Sequence, residues 1–133
     1  MISRHLSKVI AASPEAVYRY AADPSHLAEW AAGLANAVAR IDGDDLVVSS
    51  PMGEVRVRFV PSNDLGVLDH VVTLPSGQSV LNPLRVVAHP AGAEVIFTVR
   101  QLQMTDEEFD RDTAAVQRDL ETLAHILERT ASG

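Results

Sequence analysis

TDEEFDRDTAAVQRDLETLAHILER, residues 105–129, reads as one long amphipathic helix, and it decides the fold because nearly everything before it reads as short strands. Thr105 is an N-cap candidate with Glu108 three residues on, a capping box that satisfies two otherwise orphaned backbone N–H groups. Asp106, Glu107 and Glu108 put negative charge where the helix dipole is positive. From there Phe109, Thr113, Val116, Leu120, Leu123 and Leu127 recur at alternating steps of four and three, a single stripe on one helical face. At about 1.5 Å per residue the helix would run roughly 36 Å, enough to cross a curved sheet. Such a stripe needs a surface to cover.

The upstream sequence supplies that surface. Residues 3–11 alternate as a first strand, and Ser13-Pro14-Glu15 then gives an N-cap, a first-turn proline and a first-turn acid. Asp23-Pro24 repeats the start signal, so 14–34 is read as two short helices with a break, burying Val17, Leu27 and Trp30. Strands follow at 35–41 and 45–50 around Asp42-Gly43-Asp44, and Pro51-Met52-Gly53 makes the next turn. Residues 54–60, EVRVRFV, have the clearest period of two, with Val55, Val57 and Phe59 inward and Glu54, Arg56 and Arg58 outward.

Strands at 66–74, 78–88 and 93–102 complete the run. Pro75-Ser76-Gly77 suits a type I turn closed by a left-handed glycine, which pairs Leu74 with Gln78 and sets His70 opposite Asn82. A two-residue loop would instead put Asp69 and Asn82 on one face. Pro83 demands an edge or a bulge. The order is strand, two short helices, six strands, long helix: an α+β fold in which an antiparallel sheet of about seven strands curls around the C-terminal helix. Space between such layers is where small ligands go.

The chain's 133 residues fit a single domain, with 130–133 read as a frayed tail. It has no cysteine, so it has no disulfide framework, thiol nucleophile or thiolate metal site. No secretory signal and no apolar run of membrane length are visible, and the reading is a cytoplasmic protein without membrane insertion. A net charge of −7 with dispersed arginines argues against nucleic acid. His5, His26, His70, His89 and His125 stand at no metal-ligand spacing, and neither a phosphate loop nor a nucleophile elbow is present, so no metal or cofactor is expected.

The stretch SPEAVYRYAADPSHLAEW, residues 13–30, resembles the "sPeeVw…laDpe.l.eW" signature that follows the first strand of START-like helix-grip proteins, the superfamily of polyketide cyclase/dehydratase (SRPBCC) and lipid-transport domains. RDLETLAHILE, residues 118–128, resembles that family's last helix, with Ala124-His125 where a lysine is common. The resemblance implies a cavity between the long helix and the sheet that holds a small hydrophobic or aromatic, polyketide- or lipid-like molecule, in a monomer or homodimer. Family members also include aromatase/cyclase-like enzymes and chaperone activators, so the fold leaves three functions open.

The candidate ligand-contacting residues are Trp30, His70, Asn82, Leu84, Phe97, Phe109, Thr113, Val116 and Leu120. The stripe from Phe109 to Leu120 is read as cavity wall and Leu123 to Leu127 as packed anchor. His70 is the one catalytic candidate, a general acid or base aided by Asp69 or Asn82; the plainer reading is a half-buried, hydrogen-bonded histidine. Asp69 and His70 are strand neighbours pointing to opposite faces, which speaks against a dyad. Trp30 is read as core, its indole N–H bonded to a backbone carbonyl, near the cavity mouth in the family's geometry.

Overall fold

The capping box at the start of the long helix closes reciprocally: the Thr105 N–H donates to Glu108 Oε1 at 2.9 Å, and the Glu108 N–H to Thr105 Oγ1 at 3.1 Å. The helix it starts, α3 (Asp106–Ser132), continues past residue 129, and Thr130 Oγ1 donates back to the Ile126 carbonyl at 3.0 Å. The computed structural model describes residues 2–31, 38–50 and 53–132. Leu120, Leu123, Ala124 and Leu127 of α3 are buried, and with Ile10, Val17 and Trp30 they form part of one apolar core.

Before α3 the order is β1 (Ser3–Ile10), α1 (Pro14–Ala22), a 3₁₀ turn (Pro24–His26), α2 (Leu27–Trp30), then β2 (Val38–Asp42), β3 (Asp45–Ser50), β4 (Gly53–Phe59), β5 (His70–Thr73), β6 (Ser79–Asn82), β7 (Leu84–His89) and β8 (Gly92–Arg100). Ser13 Oγ caps α1 by accepting from the Ala16 N–H at 3.2 Å. Asp23 then restarts the chain, its carboxylate accepting from the Ser25 N–H at 2.9 Å, so the break between the short helices falls where Asp-Pro signalled it. The described part of the second helix ends at Trp30. The helical reading of 32–34, the strand reading of 35–37 and the turn at 51–52 lie outside the described residues.

The strands form two open antiparallel sheets, β1-β8-β7 and β2-β3-β4-β5-β6. The stretch read as a single strand at 78–88 divides into β6 and β7, which makes eight strands where about seven were expected, and the stretch at 66–74 breaks into an isolated bridge at Val67 and β5. Both divisions happen at the same level. His70 pairs with Asn82, while Val67 pairs with Arg85 in the same running register, so Asp69 and Pro83 face each other at a bend. Pro83 has no N–H to give the ladder. The Asp69 carboxylate fills the gap: Oδ1 accepts from the Leu84 N–H at 2.9 Å and from Arg85 Nε at 2.8 Å, and Oδ2 accepts from Arg85 Nη2 at 2.7 Å. Beyond the bend Leu68 N donates to the Leu84 carbonyl and Val86 N to the Gly66 carbonyl, each at 2.8 Å. Gly66 is required there, because a Cβ would meet the Val86 oxygen at 2.1 Å. One bent hairpin thus joins both sheets into a curved wall around α3, a helix-grip α+β fold.

At the hairpin tip the Leu74 N–H donates to the Gln78 carbonyl at 2.8 Å, and Gly77 takes φ +91°, so the three-residue loop sets the register and the two-residue alternative is ruled out. The alternation in β4 also follows: Val57 is buried, while Arg56 reaches Asp42 and Asp45 and Arg58 reaches Asp45 on the outer surface.

Asp69 is only 9% exposed, and the Arg85 guanidinium beside it holds its carboxyl below the ordinary 3.8. Replacing Asp69 by Ala strands the Leu84 N–H and unpairs Arg85. Because Arg85 is half exposed, the expected loss is about 2 kcal/mol in urea unfolding at neutral pH. A depressed carboxyl contributes stability above its unfolded pKa and loses it as pH falls through the folded one. The gap between wild type and Asp69→Ala should therefore narrow below pH 3.8.

Candidate functional site

Strand alternation places Phe59, His70 and Asn82 in one row on the inner face, each opposite the next across β4, β5 and β6. Asp69 points the other way, to Arg85, so it and His70 share no site. The His70 ring lies 4.9 Å from Phe59 and 5.8 Å from Phe97, centroid to centroid. Its Nδ1 is 3.1 Å from the Leu68 carbonyl. A carbonyl can only accept, so the proton of the neutral ring belongs on Nδ1 and the lone pair on Nε2. Burial among the aromatic rings pushes its pKa below 6.5; the Leu68 hydrogen bond and the Asp69 charge oppose that shift without cancelling it.

Beside this row a cavity of about 410 Å³ opens between α3 and the sheet. Val72, Val80, Phe97 and Val99 give it an apolar wall, and Val116 closes it from the helix. Gln78, Asn82 and Asp112 bring polar groups to the same space, and the β8–α3 connection roofs it with Leu102, Gln103 and Met104. Gln103 takes φ +52°, the one positive φ outside glycine among the described residues. A strained backbone at the rim of a cavity is the kind of position that function retains.

Of the sequence candidates, Asn82, Phe97 and Val116 stand together on this wall, and His70 sits against Phe97 beside it. Leu84 and Leu120 are fully buried and Trp30 is 4% exposed, all within the closed core. The Trp30 indole N–H meets no acceptor among the described residues, in place of the expected backbone carbonyl. Phe109 and Thr113 are taken up by β1: Arg4 lies 4.3 Å above the Phe109 ring, its Nη1 reaches Thr113 Oγ1 at 3.4 Å, and it pairs with Asp110 at 2.7 Å.

Asp112 was not among the sequence candidates. Its spacing carried the signal, since it lies one helical turn from Val116 and so shares that residue's outlook. Among the described residues no three His, Asp or Glu side chains converge as a metal site would need. No described helix is long and apolar enough to cross a membrane. A wider groove of about 870 Å³ runs between α1 and residues 62–66, but it is a surface trough in which Tyr18, Asn63 and Asp23 already bond to protein groups.

No protein-family model matches the chain, and no curated protein matches it in sequence. Solved structures do match in shape. The Aha1 dimer from Colwellia psychrerythraea superposes with a TM-score of 0.75 at 15% identity, over 96% of this chain and 97% of that one. Protein MLL2253 from Mesorhizobium loti gives 0.73 at 15% identity, over 97% and 98%. DynU16, from the dynemicin biosynthetic locus, gives 0.71 at 14% identity, over 95% of this chain but 47% of that one. At such identities the likeness establishes the fold.

The lowered His70 pKa also sets a pH dependence. A histidine kept neutral by the fold is fully compatible with it above pH 6.5, and stability falls as pH drops from there, because the unfolded chain binds the proton first. Nitrogen-detected NMR should find His70 as the Nδ1–H tautomer with a midpoint below 6.5, and His70→Phe should flatten the stability profile on that side. An Nε2–H ring titrating normally would contradict this geometry.

Proposed function

We propose that the protein is a START-like helix-grip protein that binds a small, largely apolar molecule in the cavity between α3 and strands β5, β6 and β8. The observation that carries this is the cavity itself: about 410 Å³, apolar on its walls, with a few polar groups converging on it. The two terminal segments that resemble the superfamily support the same reading, as does the shape shared with DynU16.

A second reading uses the same space. His70, beside the cavity and paired with Asn82 across the strands, holds its proton on Nδ1 and so keeps a lone pair on Nε2, which is what a general base would need toward an enolisable substrate of the aromatase/cyclase kind. Under it a bound ligand would be converted, and His70→Ala would stop the conversion without stopping binding.

The neutral dye N-phenyl-1-naphthylamine, which brightens in apolar surroundings, tests the binding reading. It should bind the wild type and raise the melting temperature, since occupancy at about 100 times Kd adds roughly 2.7 kcal/mol. Val116→Trp fills the cavity and should weaken the dye about tenfold or more, whereas Ala88→Trp, in the surface trough, should leave it unchanged. A dye that does not bind, or that ignores Val116→Trp, would sink the proposal.

A further inference from the structure

We infer that Asp112 selects the ligand of this cavity, and that the ligand is an apolar molecule carrying a positively charged amine. This rests on the binding reading above and names the class of molecule that fits it.

Asp112 and Val116 look into the cavity from consecutive turns of α3, facing the apolar side chains of β5, β6 and β8. Asp112 is exposed to water and lines the open side of the cavity, one helical turn before Val116. Burial alone pushes its carboxyl above the ordinary 3.8, with no hydrogen bond or cation acting against the shift. Other carboxylates of the chain are treated differently. Asp23 accepts from Ser25, Asp45 from Arg56 and Arg58, Asp69 from Leu84 and Arg85, and Glu108 from Thr105, and each of these is held below its ordinary value.

The surroundings do not supply the missing partner. Gln78, Asn82 and Gln103 are neutral amides. Arg100 also lines the cavity, but it makes no ion pair with Asp112, and only burial acts on that carboxyl. An ammonium group presented by the ligand would give Asp112 its counter-charge while the apolar body covers Val72, Val80 and Phe97. The chain's net charge of −7 adds long-range attraction for a cation. A ligand carboxylate in the same place would face a like charge.

Three probes with one body and different heads decide the matter: 4-phenylbutylamine, 4-phenylbutan-1-ol and 4-phenylbutyrate, each competing against bound N-phenyl-1-naphthylamine at neutral pH. In the wild type the amine should displace the dye at least about tenfold more effectively than the butyrate, with the alcohol between them. Asp112→Asn should bring the three within about threefold of one another while the dye itself still binds. Glu121→Gln makes the same change of charge at an exposed position further along α3, outside the cavity lining, and should preserve the wild-type ranking. Asp112→Asn removes a carboxylate that has no partner in the protein, so its melting temperature should not fall. An unchanged ranking in Asp112→Asn, an alcohol equal to the amine in wild type, or a butyrate that binds best would each overturn the inference while leaving the cavity reading intact. Failure of the dye to bind would remove the cavity reading and this inference together.

Discussion

Asp69 holds the structure at the point where its two sheets meet. A single carboxylate takes the Leu84 N–H and both reachable nitrogens of Arg85, opposite a proline that gives the ladder nothing. Without it the bend would leave a buried donor and a loose cation. With it, one hairpin serves two sheets: its base, at Val67 and Arg85, belongs with β8, and its tip, at His70 and Asn82, belongs with β4. The curvature that lets the sheet close on α3 follows from that change of direction.

The cavity is a consequence of the same geometry. The C-terminal half of α3 packs Leu120, Leu123 and Leu127 into the core beside α1 and α2. Toward its N-terminus the helix is held to β1, because Arg4 sits over Phe109 and reaches Thr113 and Asp110. That fixes the rotation of α3 and turns Asp112 and Val116 toward β5 and β6, where the bent hairpin has drawn the sheet away. An open cavity with an apolar wall, and with Asp112 on its rim without a partner in the protein, is what remains. The fold sets the place, and the side chain on the helix sets the chemistry.

Much of this was legible beforehand because it is local. The capping box, the Ser13 and Asp23 caps, the alternation of β4 and the glycine at position 77 each depend on residues within one turn or one strand. The pairing of His70 with Asn82 was one of two registers the sequence left open, and the three-residue loop of the structure selects it. The helical stripe divides, as expected from the sequence, into wall and anchor, but the wall is shorter: Leu120 joins the core with Leu123 and Leu127, Phe109 lies under Arg4, and Val116 lines the cavity. Periodicity tells that Phe109, Val116 and Leu120 share a face, but it does not tell that Arg4, far away in sequence, covers one of them while a chamber opens before another. Asp112 escaped notice because a polar residue beside the stripe looks like solvent surface until the opposing sheet is in place.

From the sequence alone came the α+β class, the long capped helix and the two registers open to the hairpin, because caps, turns and alternation act over a few residues. Only the tertiary structure decided that Pro83 and Asp69 split the strands at a common level, that Arg4 takes Phe109 and Thr113 out of the cavity, and that Asp112 lines it. Those three depend on side chains that meet from separate elements. Long-range contact sets which face of an amphipathic helix is packed and which is left open, and no local pattern records it.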